Sequence, residues 1–394
     1  MVSKKHSKHG QTDYRYDHTG RIEGCRNQRY WETLQYDAAA NLLDSKYRED
    51  YSNYNLIRCN QLLHFRGHHY SYDEHGRTQT KQTIGATQHY HYDAEHRLSE
   101  VRIEQLNKTE RYRYLYDALG RRIEKHQIDR EGKPYNRTRF LWDGLRMIQE
   151  TGPNHPTSLY IYTDQNSYEP LARIDTDGNQ EQHIRYFHTD LNGCPEELTD
   201  ANGKILWECS FQLWGKRIHE IEHEPIEQNL RYQGQYLDRE TGLHYNTFRY
   251  YDPDIGRFTQ PDPIGLLGGL NLYQYAPNGL TWIDPLGLML LYRGMNLAEY
   301  DELMKTGKWT SPPSTLEGKW FAESYKDAVT WGEKMGHGGD FRVVQVSVPD
   351  NIADAAYKNP RLDGIGKARF IDNVVLNKAK IKPKWSKYIH QPKC

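Results

Sequence analysis

One short unit recurs through the first half of this chain and limits what it can fold into. It reads aromatic-x-Tyr-Asp, then two or three small or polar residues, a Gly or a substitute, then Arg and an aliphatic residue. Copies occupy residues 14–22, 70–77, 90–98 and 114–123, with degenerate versions at 34–37 and 140–144. Successive copies lie mostly about 20 to 26 residues apart, the length of one hairpin and its connection. Alternating aromatic and polar residues run into an Asp/Gly turn and out again, which is the pattern of a β-hairpin. Hairpins repeated in this way cover one another's faces and form a continuous sheet. Tyrosine fits that sheet: 31 Tyr against 9 Phe, in a chain only 36% hydrophobic, suit surfaces buried on one side and wet on the other. From about residue 186 to 251 the unit loosens, but Asn192-Gly193, Asn202-Gly203 and Thr241-Gly242 keep the turns coming.

Tyrosines beside carboxylates also suggest a sugar-binding or metal-binding array. Asp next to a glycine turn is more simply explained by Asx-type bonds to the backbone, with Tyr packing on the neighbouring repeat. No chemistry and no metal ligand is expected of the repeats. A net charge of -1 excludes a globally basic nucleic-acid binder. The charge is uneven, about +5 after Leu288 and about -6 before it. Five cysteines, odd in number and far apart with no Cys-x-x-Cys, read as reduced thiols. The N-terminal MVSKKHSKHGQ leads into no apolar core, and no run is long enough to span a membrane. The expectation is synthesis in the cytoplasm and export, if any, by a dedicated machine.

Between the repeats and a tail of different composition stands a border holding two Asp-Pro-x-Gly units, Asp262-Pro263-Ile264-Gly265 and Asp284-Pro285-Leu286-Gly287, either side of a Gly-rich aromatic stretch. This border, with the repeats before it, resembles the end of the core in Rhs/YD-repeat polymorphic toxins. The resemblance implies a mostly β YD-repeat shell of stacked hairpins over residues 11–250, a core-terminating segment over 251–288, and a separate toxin domain over 289–394. In that family the shell encloses the toxin, and the chain is cut after the Leu of Asp-Pro-x-Gly-Leu, which here is the Leu288–Met289 bond. Paired carboxylates hydrolyse a peptide when one is ionised as base and the other protonated as acid. Asp262 and Asp284 are the candidate pair, although each precedes proline and could equally close a turn.

The tail begins with an apolar strand ending in Tyr292-Arg293-Gly294. Asn296 is placed to cap a helix running to about Lys305 and stopped by Gly307. A Ser/Pro loop precedes Gly318-Lys319-Trp320-Phe321-Ala322-Glu323-Ser324, and a second helix follows with Ala328, Trp331 and Met335 on one face. Residues 341–349 alternate as a strand, then come an Asp/Gly loop at 362–366, a short strand at 368–375 and a basic end. This order resembles a small α+β ADP-ribosyltransferase domain, with a layout similar to those acting on elongation factor Tu. The resemblance implies NAD as substrate, with Arg293 and Gly294 on its phosphate or ribose, Ser324 bracing the site, and Trp320 and Phe321 lining the nicotinamide slot or simply core. The family's Gln/Glu-x-Glu motif is absent, so the acid is Glu323 or Asp363, either of which also suits a structural role. Implied partners are a cognate immunity protein, a translation component such as elongation factor Tu, and secretion machinery of the type VI kind, with action in the recipient cytoplasm.

Two alternatives remain open. The lysines from Lys378 to Lys393 suit a ribonuclease tracking phosphates, but only His337 and His390 are available there for acid–base work. The chain could also be a non-enzymatic shell fragment.

Overall fold

The computed structural model describes residues 1–6, 10–43, 57–153, 157–164, 167–262, 271–276, 278–281, 283–284, 289–311, 317–322, 325–335, 340–348, 356–378, 381 and 383–390. It divides into two compact units, one formed by Met1–Pro261 with Tyr273–Gly287, the other by Asp262–Leu272 with Leu288–Cys394.

Fifteen strands of the first unit, from His64–Phe65 to Arg217–Glu222, form one antiparallel sheet in strict chain order. The recurring turn explains this regularity. In each copy the Asp Oδ1 accepts from the amides two and four residues on: Thr19 and Arg21 at Asp17, His75 and Arg77 at Asp73, Glu95 and Arg97 at Asp93. The residue before Arg is left-handed, which is why it is usually Gly, as at Gly76 with φ 76°. Arg then turns back on the Asp, 2.6 Å from Asp73 in the case of Arg77.

The same residues join one hairpin to the next. The Tyr of each copy donates its hydroxyl to the carbonyl just after the previous turn, Tyr92 to Thr78 at 2.9 Å and Tyr116 to Leu98 at 2.7 Å. The preceding Arg lies over that Tyr ring, Arg77 over Tyr92 at 4.6 Å and Arg97 over Tyr116 at 5.1 Å. A register shift immediately before each Tyr, as between His91 and Tyr92, aims the ring backwards. In the degenerate copy Trp142 plays the Tyr part, its Nε1 donating to the Arg122 carbonyl at 2.8 Å. The expected packing of Tyr on the adjacent repeat is what the fold uses.

The loosened segment after Glu222 packs on one face of this meander. Its short sheet, Tyr236–Leu237, His244–Asn246, Arg249–Asp252 and Arg257–Phe258, ties back through buried ion pairs of Arg122 with Asp238 and Lys81 with Asp252. The N-terminal strands reach the far end of the meander: the Leu213 amide donates to Glu32 at 2.9 Å, and Trp214 Nε1 to the Tyr36 hydroxyl at 3.1 Å.

One repeat turn carries a pH-dependent term. Burial raises the Asp190 carboxyl to about 6, with Glu196 adding and the amides of Cys194 and Asn192 opposing. A folded-state pKa above the ordinary value means that its stabilising contribution is complete below about pH 4 and lost as pH rises through about 6. Buried His244, held far below its ordinary pKa by burial and Arg231, works in the opposite direction. The measurement is therefore a difference: between pH 7.5 and 4.5 the wild type should gain about 2–4 °C in Tm relative to Asp190→Asn. A constant difference would refute it.

The second unit is a six-stranded antiparallel sheet in the spatial order Tyr357–Leu362, Gly366–Asp372, Gly318–Ala322, Met289–Asn296, Asp340–Val348, Pro383–His390. Asn296 caps the helix Leu297–Thr306 through the Glu299 amide at 2.8 Å, and left-handed Gly307 ends it. That helix and the short helix Asn373–Lys378 cover one face, whose core includes Leu291, Met295, Leu303, Phe321 and Leu376. The helix Tyr325–Lys334 covers the other with Ala328 and Trp331. Met335 is 65% exposed and does not share that face, because the helix has ended before it. The expected strand over 368–375 stops at Asp372, where the chain turns into a helix. The basic end is an edge strand paired with Asp340–Val348.

Glycine lets the helix Tyr325–Lys334 sit close to the sheet. A Cβ on Gly332 would lie 2.1 Å from the ring of Phe341, itself fully buried, and one on Gly294 would lie 2.6 Å from the Ala328 carbonyl oxygen. Alanine normally favours a helix over glycine by about 1 kcal/mol. Gly332→Ala should instead cost about 1–3 kcal/mol through overpacking, read as a lowered denaturation midpoint; a raised midpoint would contradict the close approach.

Candidate active site

Side chains alternate along Met289–Asn296, so Arg293 stands on the same face as fully buried Leu291 and Met295. The next helix starts at once, and its capped first turn brings Glu299 back over the strand. Arg293 grips that carboxylate with two nitrogens, Nε at 3.2 Å from Oε1 and Nη2 at 3.0 and 3.1 Å from Oε1 and Oε2. Its Nη1 donates to the Trp320 carbonyl at 2.9 Å. Lys319, only 7% exposed, places Nζ 2.6 Å from the same Glu299 Oε1. Burial pushes the Glu299 carboxyl up, but Arg293 and Lys319 outweigh it and hold the group below the usual carboxylate range. Among the described residues two cations thus share one carboxylate in a half-buried place, a surplus of positive charge suited to an anion.

The other expected residues distribute themselves around this centre. Gly294 faces the opposite side, where it serves helix packing. Phe321 is fully buried in the core beside Trp309, rings 5.4 Å apart, so it is not a slot-lining residue; strand alternation turns it inward. Trp320 points to the other face, between Tyr357 at 5.9 Å and Phe370 at 5.4 Å, and reaches Arg293 only through its carbonyl. Asp363 is exposed, with φ 51°, at the tip of the hairpin joining Tyr357–Leu362 to Gly366–Asp372. The strand Gly318–Ala322 separates that hairpin from Arg293. Glu323 and Ser324 lie outside the described residues. Sequence reasoning missed Glu299 and Lys319 as members of the site. Their signal was present: a Glu three residues after a helix cap that follows the Arg strand directly, and a Lys two residues before an inward Phe.

At the border, Asp262 and Asp284 are both buried, 6% and 5% exposed. The Asp262 amide donates to the Leu272 carbonyl at 2.7 Å. The Asp284 carbonyl accepts from Asn246 at 3.0 Å, and its carboxylate lies 3.9 Å from the Arg249 guanidinium. Residues 263–270 and 285–288 are outside the described part. The strand beginning at Met289 pairs that residue with Val348. Among the described residues one trio holds ligand-type atoms close together, Asp177, Glu181 and His183, but Asp177 is occupied in capping its turn. No helix among them is long and apolar enough to cross a membrane.

A family model described as Teneurin YD-shell matches residues 2–279. The chain is 38% identical over 310 residues to Double-stranded DNA deaminase toxin A of Burkholderia cenocepacia, covering 73% of this chain and 21% of that protein. It is 31% identical over 320 residues to "Probable deoxyribonuclease RhsB" of Dickeya dadantii, covering 74% and 22%. It is also 37% identical over 205 residues to Toxin protein Tse5 of Pseudomonas aeruginosa, covering 45% and 15%. The chain spans about a fifth of the length of the first two relatives. The family-model match ends before residue 289.

Proposed function

Because the chain belongs to the teneurin YD-shell family, with polymorphic toxins among its relatives, we propose that it is the closing part of such a toxin and carries its effector as the second unit. That effector transfers ADP-ribose from NAD to a translation component of a rival cell, such as elongation factor Tu. The relatives' names report different chemistries, which suits a shared shell followed by an exchangeable enzyme, neutralised in the producer by an immunity protein.

The observation that carries the transferase reading is Arg293, held on a rigid strand with Lys319 and, among the described residues, one carboxylate between them. A guanidinium fixed in this way presents a fork to a phosphate of NAD. Glu323, with Asp363 as second choice, supplies the carboxylate that steadies the oxocarbenium-like centre as nicotinamide leaves, and Ser324 braces the site. At the border, Asp262 and Asp284 cut the Leu288–Met289 bond. The Asp284 charge is compensated by Arg249, as the base of such a pair requires.

One observation favours the ribonuclease alternative: His390 Nδ1 on the edge strand donates to Asp340 at 2.9 Å, and the Tyr388 hydroxyl donates to the same carboxylate. Incubating the purified chain with NAD labelled in its adenylate phosphate and a bacterial extract separates the two. Label on a protein band supports the transferase. Unlabelled protein with degraded RNA, abolished by His390→Ala, would replace it with a nuclease.

A further inference from the structure

Inside the first unit lies a cavity of about 30 Å³ whose lining includes Arg122, Arg231 and Gln235. All three are buried, with 0, 2 and 1% exposure, and each directs some of its donors to no partner among the described residues: Arg122 Nε and Nη2, Arg231 Nη2, and Gln235 Nε2.

The remaining atoms of these side chains are committed, which fixes their orientation. Arg122 Nη1 donates to Asp238 at 2.5 Å and to the Tyr250 hydroxyl at 3.2 Å. Rings of Tyr245 and Phe140 lie 4.3 and 4.9 Å from its guanidinium carbon. Arg231 Nη1 donates to the carbonyls of Leu230 and Gln228 at 2.8 and 3.2 Å. Gln235 uses Oε1 on His244 Nδ1 at 2.8 Å, which leaves its amide nitrogen for the cavity.

Charge is as unbalanced as hydrogen bonding. Asp238 answers Arg122, whereas Arg231 makes its hydrogen bonds to carbonyls and lies 5.5 Å from the Phe211 ring. Burial holds its guanidinium below the ordinary value, and Glu220 acts on it without a close ion pair among the described residues. A buried cation without a counter-ion is costly. An occupant here must accept from several donors, need donate to none, and carry negative charge. Water would accept from these donors but carries no charge to offset that of Arg231. About 30 Å³ is more than one water needs, which leaves room for a monatomic ion.

We infer that this cavity is a halide site, holding chloride between Arg122, Arg231 and Gln235 as the counter-ion of Arg231. The ion would join the hairpin meander, through Arg122, to the segment packed on it, through Arg231 and Gln235, so its effect is on the stability of the shell and independent of toxin chemistry.

Two measurements on the full chain test this. Crystals soaked in sodium bromide should show anomalous scattering in the cavity at the bromine edge. At constant ionic strength, replacing chloride by gluconate, too large to enter, should lower Tm by about 3–5 °C, since binding only to the folded state stabilises it by mass action. Gln235→Glu places a carboxylate beside Arg231 and should abolish both the bromide peak and the anion dependence. The inference fails if bromide appears only at the surface, if the exchange to gluconate leaves the wild-type Tm unchanged, or if Gln235→Glu keeps the wild-type chloride dependence. Should that variant not fold, the bromide map of the wild type decides alone.

Discussion

Replacing Arg293 by alanine is expected to reduce ADP-ribose transfer by about a hundredfold or more. Loss of charge-assisted phosphate contacts costs about 2–3 kcal/mol in binding, with a further loss in positioning. The structure adds a complication that the sequence did not contain. Arg293 also holds Glu299, so its removal leaves that carboxylate to Lys319 and lowers stability as well as activity. Arg293→Lys separates the two effects, because it keeps the charge beside Glu299 and loses the fork: its fold should survive while transfer stays low. Circular dichroism alongside the labelled-NAD assay reads both. Full transfer by a folded Arg293→Ala would remove the transferase reading.

Self-cleavage is the second expectation. A preparation of the wild type should contain a fragment whose first residue is Met289, and either Asp262→Asn or Asp284→Asn should eliminate it, since an amide cannot serve as base or acid in the pair. Because Met289 already opens a strand paired with Val348, a cut before it leaves the sheet of the second unit whole. Intact-mass measurement after prolonged incubation decides the matter. A wild type that remains uncut, or an Asp284→Asn variant that is still processed, would mean that the border is only a turn.

What the sequence makes legible and what it does not is a matter of range. The shell was legible because its information is local: Asp17, Asp73 and Asp93 each bond amides within four residues, and a turn written in five letters needs nothing else to specify it. The helix from Leu297 was legible for the same reason, since Asn296 and Gly307 act on their own neighbours. Errors fell where a distant strand decides. Phe321 looks like any aromatic in sequence, and only its place between two core layers makes it unavailable to a ligand. The strand expected over 368–375 overruns its end at Asp372 because Val374 and Val375 favour a strand. There the amide of Asn373 bonds the Glu317 carbonyl and Leu376 fills the core.

The sequence by itself determined the hairpin repeat, the sheet it builds, the composition change after Leu288 and the caps of the first tail helix, because each rests on contacts a few residues apart. Tertiary structure alone decided that Arg293 shares Glu299 with Lys319, that buried Arg231 hydrogen-bonds to carbonyls, and that Gln235 spends its oxygen on His244. Charge balance at a buried point sums over groups brought together from distant parts of the chain, and no window along the sequence contains that sum.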